Sequence, residues 1–226
     1  MADSLRGVTV AFDLDGTLVD TAPDLIAAVN FVLGEIGLAP VALSLIRSDI
    51  SFGAARMLSN AIVLSGGSRP KEEVDRLYRD VYLPRYEATI ADTSRPFPGL
   101  VEALDLLDAA GARSVVCTNK WEGLSRKLLI ELGLSQRFQA IAGRDTYAVY
   151  KPHPDHLTGL VRAVGGDPRR AVMIGDSDTD VQTARAAGLP VVGVTFGYTD
   201  VPMVELGANA VITHFDDLIP ALRRVL

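Results

Sequence analysis

The second half of the chain repeats one order of secondary structure, and this repeat restricts the fold most strongly. From Phe97 onward, amphipathic helical segments alternate with short apolar segments, often with a glycine between them. Alternating helices and strands predict a parallel sheet with helices on both faces and ligands bound beyond the carboxyl ends of the strands. The predicted strands are Ser114 to Thr118, Ala140 to Ala142, Ala171 to Ile174, Val191 to Val194 and Ala210 to Thr213.

A further strand of this sheet is predicted near the start of the chain, at Val8 to Leu14. This segment is apolar and β-branched as far as Asp13, as buried parallel strands are. The residues from Thr21 to Thr93 show helical spacing and no convincing strand pattern. We therefore predict an α/β fold, with a Rossmann-like core formed by 1–19 and 96–226 and an inserted all-helical cap domain at 20–95. The predicted cap helices are Thr21 to Gly37, Phe52 to Leu64 and Pro70 to Tyr86.

Composition restricts the partners and the compartment. The 226 residues carry a net charge of -6, with 48% hydrophobic and 22% charged residues, as folded soluble domains do. The acidic balance and the lack of a basic stretch argue against nucleic acid or an anionic membrane as a partner. Met1 to Gly7 shows no signal-peptide pattern, and Cys117 is the only cysteine. We therefore expect a cytoplasmic protein, either a monomer or a homodimer.

Four short motifs follow predicted strands or lie beside them. They are DLDGT at Asp13 to Thr17, CTNK at Cys117 to Lys120, Lys151-Pro152, and GDSDTD at Gly175 to Asp180. Together they closely resemble the four motifs of the haloacid dehalogenase superfamily, and the resemblance covers nearly the whole chain. With the segments Pro96 to Gly99 and Thr195 to Tyr198, the chain most resembles the phosphoglycolate phosphatase group. The resemblance implies hydrolysis of a small phosphorylated metabolite.

The two acids of the first motif carry the implied chemistry. By the resemblance, Asp13 is the nucleophile that forms an aspartyl-phosphate, and Asp15 is the general acid and base. The resemblance also implies that Asp15 gives its backbone carbonyl to a metal. Two acids at one strand end are costly to place together without a cation. Oxygen ligands from Asp13, Asp15 and Asp176 suit Mg²⁺, so we expect a magnesium-dependent enzyme.

Donors are also needed around the phosphate. A transferring phosphoryl group spreads negative charge over its oxygens, which hydrogen-bond donors and a cation stabilise. Thr118, Asn119 and Lys151 match this requirement as phosphate-binding residues. Ser177 and Asp180 lie behind them, where Asp180 would orient Lys151 or a metal-bound water. By contrast, Cys117, His153 and His156 are interpreted as structural residues.

The choice of substrate is the least determined property. By the resemblance, a cap loop that includes Ser51 and Arg56 meets the substrate, and Arg56 is either the partner of a substrate carboxylate or a surface arginine. Sugar phosphates, nucleotides and pyrophosphate stay open as substrates, as does phosphoryl transfer to an acceptor other than water. A non-catalytic binding protein on the same fold is the further alternative. It would not need both Asp13 and Asp15, so the sequence favours an enzyme.

Overall fold

The structure is a computed structural model, and it describes residues 5–226. These residues divide into two compact units: the described residues up to Asp20 together with Pro96–Leu226, and Thr21–Arg95. The second unit lies within the predicted insert, 20–95, whose role as a cap stays a prediction. Within 5–226, no helix combines the length and the apolar character that crossing a bilayer requires.

The first unit contains a six-stranded parallel sheet, which confirms the predicted α/β fold. The strands of the sheet are β1 (Thr9–Phe12), β4 (Arg113–Cys117), β5 (Ile141–Ala142), β6 (Ala171–Gly175), β7 (Val191–Val194) and β8 (Ala210–Ile212). Their order is β5-β4-β1-β6-β7-β8, so the first strand of the chain lies between strands from far later in the sequence. Two short strands, β2 (Val19–Asp20) and β3 (Arg95–Pro96), lie where the chain passes from one unit to the other.

The register of the central strands determines where the polar side chains meet. Phe12 of β1 is aligned with Val116 of β4 and with Ile174 of β6. Every residue of β1 is buried, because helices cover both faces of a parallel sheet of this kind. The residues directly after these strands therefore lie at one edge, which brings Asp13 and Asp176 to the same end of the sheet.

The helices of the first unit alternate with its strands, as the sequence predicted. A last helix at Leu218–Val225 was not predicted. Its signal is present, since Leu218, Ala221 and Leu222 are buried at helical spacing. The helices are α5 (Leu100–Ala109), α6 (Glu122–Glu131), α7 (Pro154–Ala163), α8 (Asp178–Ala186) and α9 (Leu218–Val225).

The second unit is helical, as predicted, but two of its predicted helices need correction. The helix expected from Phe52 begins at Ala54, after a 3-10 helix at Arg47–Phe52 and a glycine with φ 97°. The helix expected at Pro70 to Tyr86 is interrupted by a π-helical segment, Tyr78–Tyr82. Pro84 follows this segment and has no N–H to donate to the carbonyl four residues earlier, so the regular pattern breaks there. The helices are α1 (Ala22–Glu35), α2 (Ala54–Leu64), α3 (Lys71–Leu77) and α4 (Leu83–Ala88).

Asp24, in the first turn of α1, links the beginning and the end of the second unit by hydrogen bonds. Its buried carboxylate accepts hydrogen bonds from the backbone N–H of Ser94 at 2.7 Å and of Thr93 at 3.0 Å, and from both of their hydroxyl groups. Burial raises the pKa of Asp24, but the hydrogen bonds from Ser94 and Thr93 outweigh it and lower the pKa. The ionised form of Asp24 is therefore the one that stabilises this unit.

We expect Asp24→Ala to destabilise the protein by about 2–4 kcal/mol at pH 7, because four donors lose their acceptor and the backbone N–H and hydroxyl of Ser94 are buried. The pKa of Asp24 is lowered on folding, so its stabilisation is present above the unfolded pKa and is lost as the pH falls through the folded pKa. Urea unfolding of the full chain at pH 7 and near pH 3 measures both effects. Asp80→Ala removes an exposed carboxylate of the same unit and serves as the control. Equal losses in both variants would contradict this role of Asp24.

Candidate active site

The nucleophile predicted from the sequence lies against a buried lysine. Asp13 follows β1, and its Oδ1 lies 2.9 Å from Nζ of Lys151. The same Nζ donates to Oδ1 of Asp180 at 2.7 Å. Lys151 is only 2% exposed, so its ammonium is directed inward from the loop that precedes α7. The structure thus brings together three predicted site residues that are far apart in the sequence.

The charges of these three residues depend on one another. Burial raises the pKa of Asp13 to about 6, against the opposing attraction of Lys151. Burial alone would lower the pKa of Lys151, but the carboxylates of Asp13 and Asp180 outweigh it and raise the pKa well above its ordinary value. At neutral pH, Lys151 is therefore a cation and Asp13 is mostly ionised. An ionised carboxylate needs no separate base to act as a nucleophile.

Asp176 lies beside Asp13 and has a strongly perturbed carboxylate. Its Oδ1 accepts from the hydroxyl of Thr17 at 3.0 Å, and its Oδ2 accepts from the backbone N–H of Tyr198 at 2.7 Å. Burial, together with the negative charges of Asp13 and Asp180, raises the pKa of Asp176 to about 8, although these hydrogen bonds oppose the shift. The surrounding residues therefore stabilise the ionised form of Asp176 poorly. A bound cation would stabilise that form.

A metal fits the arrangement of these acids. Asp13, Asp176 and Asp180 each place one carboxylate oxygen within 4.8 Å of the others. An all-oxygen donor set suits a hard divalent cation such as Mg²⁺. Asp180 is already held by Lys151 and by the hydroxyl of Ser177, at 2.7 Å, so Asp13 and Asp176 are the stronger candidates for ligands. The predicted third ligand, the backbone carbonyl of Asp15, stays a prediction.

Two glycines allow the chain to approach Asp176 closely. A Cβ on Gly197 would lie 2.1 Å from Cβ of Asp176, and a Cβ on Gly16 would lie 2.6 Å from its Oδ2. Gly16 also has φ 83°, which favours glycine. These contacts leave no space for a side chain at either position. Glycine at both positions therefore allows the backbone to pack directly against Asp176.

The predicted acid and base, Asp15, is paired with a lysine that the sequence analysis left without a role. Nζ of Lys120 donates to Oδ1 of Asp15 at 3.0 Å and to its Oδ2 at 3.2 Å. The side chains of Lys120 and Asp15 are 6% and 19% exposed. The signal for Lys120 was its place in the CTNK motif, directly after Thr118 and Asn119 at the end of β4.

The remaining predicted site residues of the first unit lie near the ion pairs of Lys120 and Lys151. Thr118 is buried, and its hydroxyl oxygen accepts from the backbone N–H of Lys120 at 3.2 Å. The side-chain amide of Asn119 donates to the carbonyl of Lys151 at 2.9 Å, which joins the two loops. Ser177 and Asp180 form a capping box at the start of α8. The predicted phosphate contacts of Thr118, Asn119 and Lys151 stay predictions.

The histidine and cysteine near the site have the environment of structural residues. The ring of His156 lies between Sγ of Cys117, 3.4 Å from Nδ1, and the carbonyl of Gly143, 3.0 Å from Nε2. Burial lowers the pKa of His156 to about 4 and raises the pKa of Cys117 to about 12. Both side chains are therefore neutral at neutral pH, in agreement with their interpretation as structural residues.

The two predicted specificity residues belong to the second unit. The Arg56 guanidinium lies 4.0 Å from the centre of the Phe52 ring, and its Nε lies 3.5 Å from Oδ1 of Asp49. The side chain of Arg56 is 55% exposed. The hydroxyl of Ser51 is buried and has no hydrogen-bond partner within 5–226. Their role in substrate choice stays a prediction.

Comparison with known proteins defines the family. Residues 10–194 match the haloacid dehalogenase-like hydrolase family, and the chain belongs to this family of enzymes. It is 48% identical over 217 residues to the phosphoglycolate phosphatase of Caulobacter vibrioides, covering 95% of this chain and 90% of that protein. It is 46% identical over 211 residues to the phosphoglycolate phosphatase of Agrobacterium fabrum, covering 93% and 90%.

A solved structure gives the same assignment of the fold. The crystal structure of a predicted phosphoglycolate phosphatase from Haemophilus somnus superposes with a TM-score of 0.88 at 27% sequence identity. The match covers 96% of this chain and 98% of the other. The chain is therefore a hydrolase with the fold of this family along nearly its whole length.

Proposed function

We propose that this protein is a magnesium-dependent phosphatase that hydrolyses phosphoglycolate, or a similar small phosphomonoester, through an aspartyl-phosphate on Asp13. The observation that carries the proposal is the buried Asp13, whose Oδ1 lies 2.9 Å from Nζ of Lys151 and which places a carboxylate oxygen within 4.8 Å of one from Asp176. The relatives named above as phosphoglycolate phosphatases support this choice of substrate. Their similarity extends over both units of the chain.

Asp13 and Asp176 would hold the magnesium ion. When bound, the ion supplies positive charge that neutralises the acids and the phosphate oxygens. The fit rests on the uncompensated carboxylate of Asp176 and on the all-oxygen donor set. Metal ligands are commonly oriented by hydrogen bonds from neighbouring residues. Thr17 and Tyr198 orient the carboxylate of Asp176 in this way.

The residues of the chain divide the reaction between them. The carboxylate of Asp13 attacks phosphorus in line with the ester bond, while Lys151 and Thr118 bind the equatorial oxygens. Asp15 donates a proton to the departing ester oxygen. In the second step, Asp15 removes a proton from water, which attacks the phosphorus of the aspartyl-phosphate. This step releases inorganic phosphate and restores the carboxylate of Asp13.

Release of inorganic phosphate tests the proposal directly. The purified protein is assayed with phosphoglycolate, a hexose phosphate, a nucleoside monophosphate and pyrophosphate, each with Mg²⁺ and with excess chelator. We expect turnover with Mg²⁺, its loss on chelation, its return on adding Mg²⁺, and the highest kcat/KM for phosphoglycolate. Phosphate release that is unaffected by chelator would reject the metal, and no release from any ester would reject the phosphatase.

Gly197→Ala tests the placement of Asp176. The added methyl group would overlap Cβ of Asp176, so the loop or the carboxylate has to move. We expect kcat/KM to fall by about 10–100-fold, with a similar loss in apparent Mg²⁺ affinity, as supporting residues of metal sites commonly show. Gly123→Ala is the control, because a Cβ there meets nothing within 4 Å. Unchanged activity in Gly197→Ala would show that the position of Asp176 is not critical.

A further inference from the structure

The backbone of Lys120 is fixed on both sides, next to the proposed site. Its N–H donates to the hydroxyl oxygen of Thr118 at 3.2 Å, and its carbonyl accepts from the N–H of Arg144 at 3.0 Å. The neighbouring chain is equally close, since a Cβ on Gly143 would lie 2.6 Å from the Lys120 carbonyl oxygen. The side chain of Lys120 therefore starts from a well-defined point at the end of β4.

The side chain continues inward instead of toward solvent. With 6% of its side chain exposed, Lys120 places its ammonium against both oxygens of Asp15. Withdrawing an ammonium from water is costly unless it is paired, so this position is not that of an ordinary surface lysine. The mechanism proposed above gives Lys120 no task, although it lies against a reacting residue.

The two buried lysines lie against the two acids of the proposed mechanism. Lys151 lies against Asp13, where phosphorus is attacked. Lys120 lies against Asp15, which has to reach the ester oxygen within about 3 Å to transfer a proton. The Lys120 ammonium lies 3.0–3.2 Å from the Asp15 oxygens. The first atoms of a leaving alcohol that Asp15 protonates would therefore lie within its reach.

The hydrogen bonds between Lys120 and Asp15 favour a charged group on the leaving alcohol. An oxygen of Asp15 that turns to the ester oxygen weakens or breaks its bond to Lys120. A neutral alcohol offers the mostly buried ammonium of Lys120 no charged acceptor. A carboxylate two bonds from the ester oxygen would replace the lost acceptor with a charged one.

We propose that Lys120 is a specificity-determining residue that binds a carboxylate on the leaving alcohol and so selects phosphate esters of short 2-hydroxy acids. The inference rests on the proposed phosphatase function and deepens it. It assigns the recognition of the substrate carboxylate to Lys120, a buried residue of the first unit, and not to the exposed Arg56. Arg56 already pairs with Asp49 and lies over Phe52.

Two substrates of matched size test the inference. Phosphoglycolate and ethyl phosphate share the phosphate, the ester oxygen and the carbon next to it, and they differ in carrying a carboxylate or a methyl group. We expect the wild type to prefer phosphoglycolate. Lys120→Met should lower kcat/KM for phosphoglycolate by about 100-fold more than for ethyl phosphate, as expected for one lost charged hydrogen bond. Lys120→Arg, which keeps a cation, should retain part of the preference.

Arg56→Met is the comparison variant, because Arg56 is the other candidate for binding the substrate carboxylate. Equal losses on both esters in Lys120→Met would mean that Lys120 acts only through Asp15, which overturns the inference and leaves the phosphatase intact. A carboxylate-selective loss in Arg56→Met but not in Lys120→Met would return the role to Arg56. No phosphate release by the wild type would instead reject the proposed function.

A folding control keeps the test decisive. Circular dichroism and thermal unfolding establish whether Lys120→Met is folded, and Lys120→Gln replaces it if it is not. Binding of phosphoglycolate to the full chain carrying Asp13→Asn, measured by calorimetry with and without the Lys120 change, gives a readout that does not require turnover. If neither Lys120→Met nor Lys120→Gln folds, the wild type still tests the inference. A wild type that does not prefer phosphoglycolate to ethyl phosphate would overturn it.

Discussion

Asp13→Asn should reduce phosphate release by about 10⁴-fold or more, because the amide is a poor nucleophile and the reaction then lacks its covalent step. The loss should appear with every ester that the wild type accepts, since it affects the attack on phosphorus and not the choice of leaving group. A steady-state assay with Mg²⁺ measures the effect. Reductive trapping with borohydride should label the wild type during turnover and leave the variant unlabelled.

The same variant should remain folded, which separates a chemical effect from a structural one. Burial raises the pKa of Asp13 to about 6, so its ionised form opposes folding at neutral pH in the absence of metal. A neutral amide of the same shape removes this cost, and we expect no loss of unfolding free energy without Mg²⁺. Asp178→Asn is the control, because its exposed carboxylate lies in the same GDSDTD motif and faces Gln182. Activity that survives in Asp13→Asn would reject the aspartyl-phosphate.

Lys151→Met should have the largest effect on stability. It leaves Asp13 and Asp180 buried without the ammonium that both contact, and breaking a buried ion pair from one side costs about 3–5 kcal/mol. The pKa of Lys151 is raised on folding, so its stabilisation is fully present at pH 7 and is lost only as the pH rises through the folded pKa. Urea unfolding at pH 7 measures this loss.

Turnover should fall in Lys151→Met as well, by about 10²–10³-fold, since a donor to the phosphate oxygens is lost. Lys71→Met provides the comparison, because Lys71 forms an exposed ion pair with Asp75 on α3. Exposed pairs contribute little, so this control should keep both stability and activity. If Lys151→Met unfolds no more readily than the control, the cluster of Asp13, Lys151 and Asp180 does not stabilise the fold as described.

The sequence determined the sheet and the place of the site. All six strands were predicted, because a parallel sheet buried on both faces requires nearly continuous apolar segments, which are visible without coordinates. The acids after β1 and β6 could be assigned to one edge for the same reason. The first helix was also readable, with Thr21 directly before its first residue and Gly37 just beyond its end.

Other features depended on residues that only the tertiary structure brings together. The pairing of Lys120 with Asp15, the hydrogen bonds from Thr93 and Ser94 to Asp24, and the closeness of Gly197 to Asp176 all join distant parts of the chain. A local pattern of apolar and polar residues reports which face of a helix or strand is buried, but not which polar groups meet. The sequence therefore determined the family and the edge of the sheet at which the acids lie, while the fold decided the partner of each charged group.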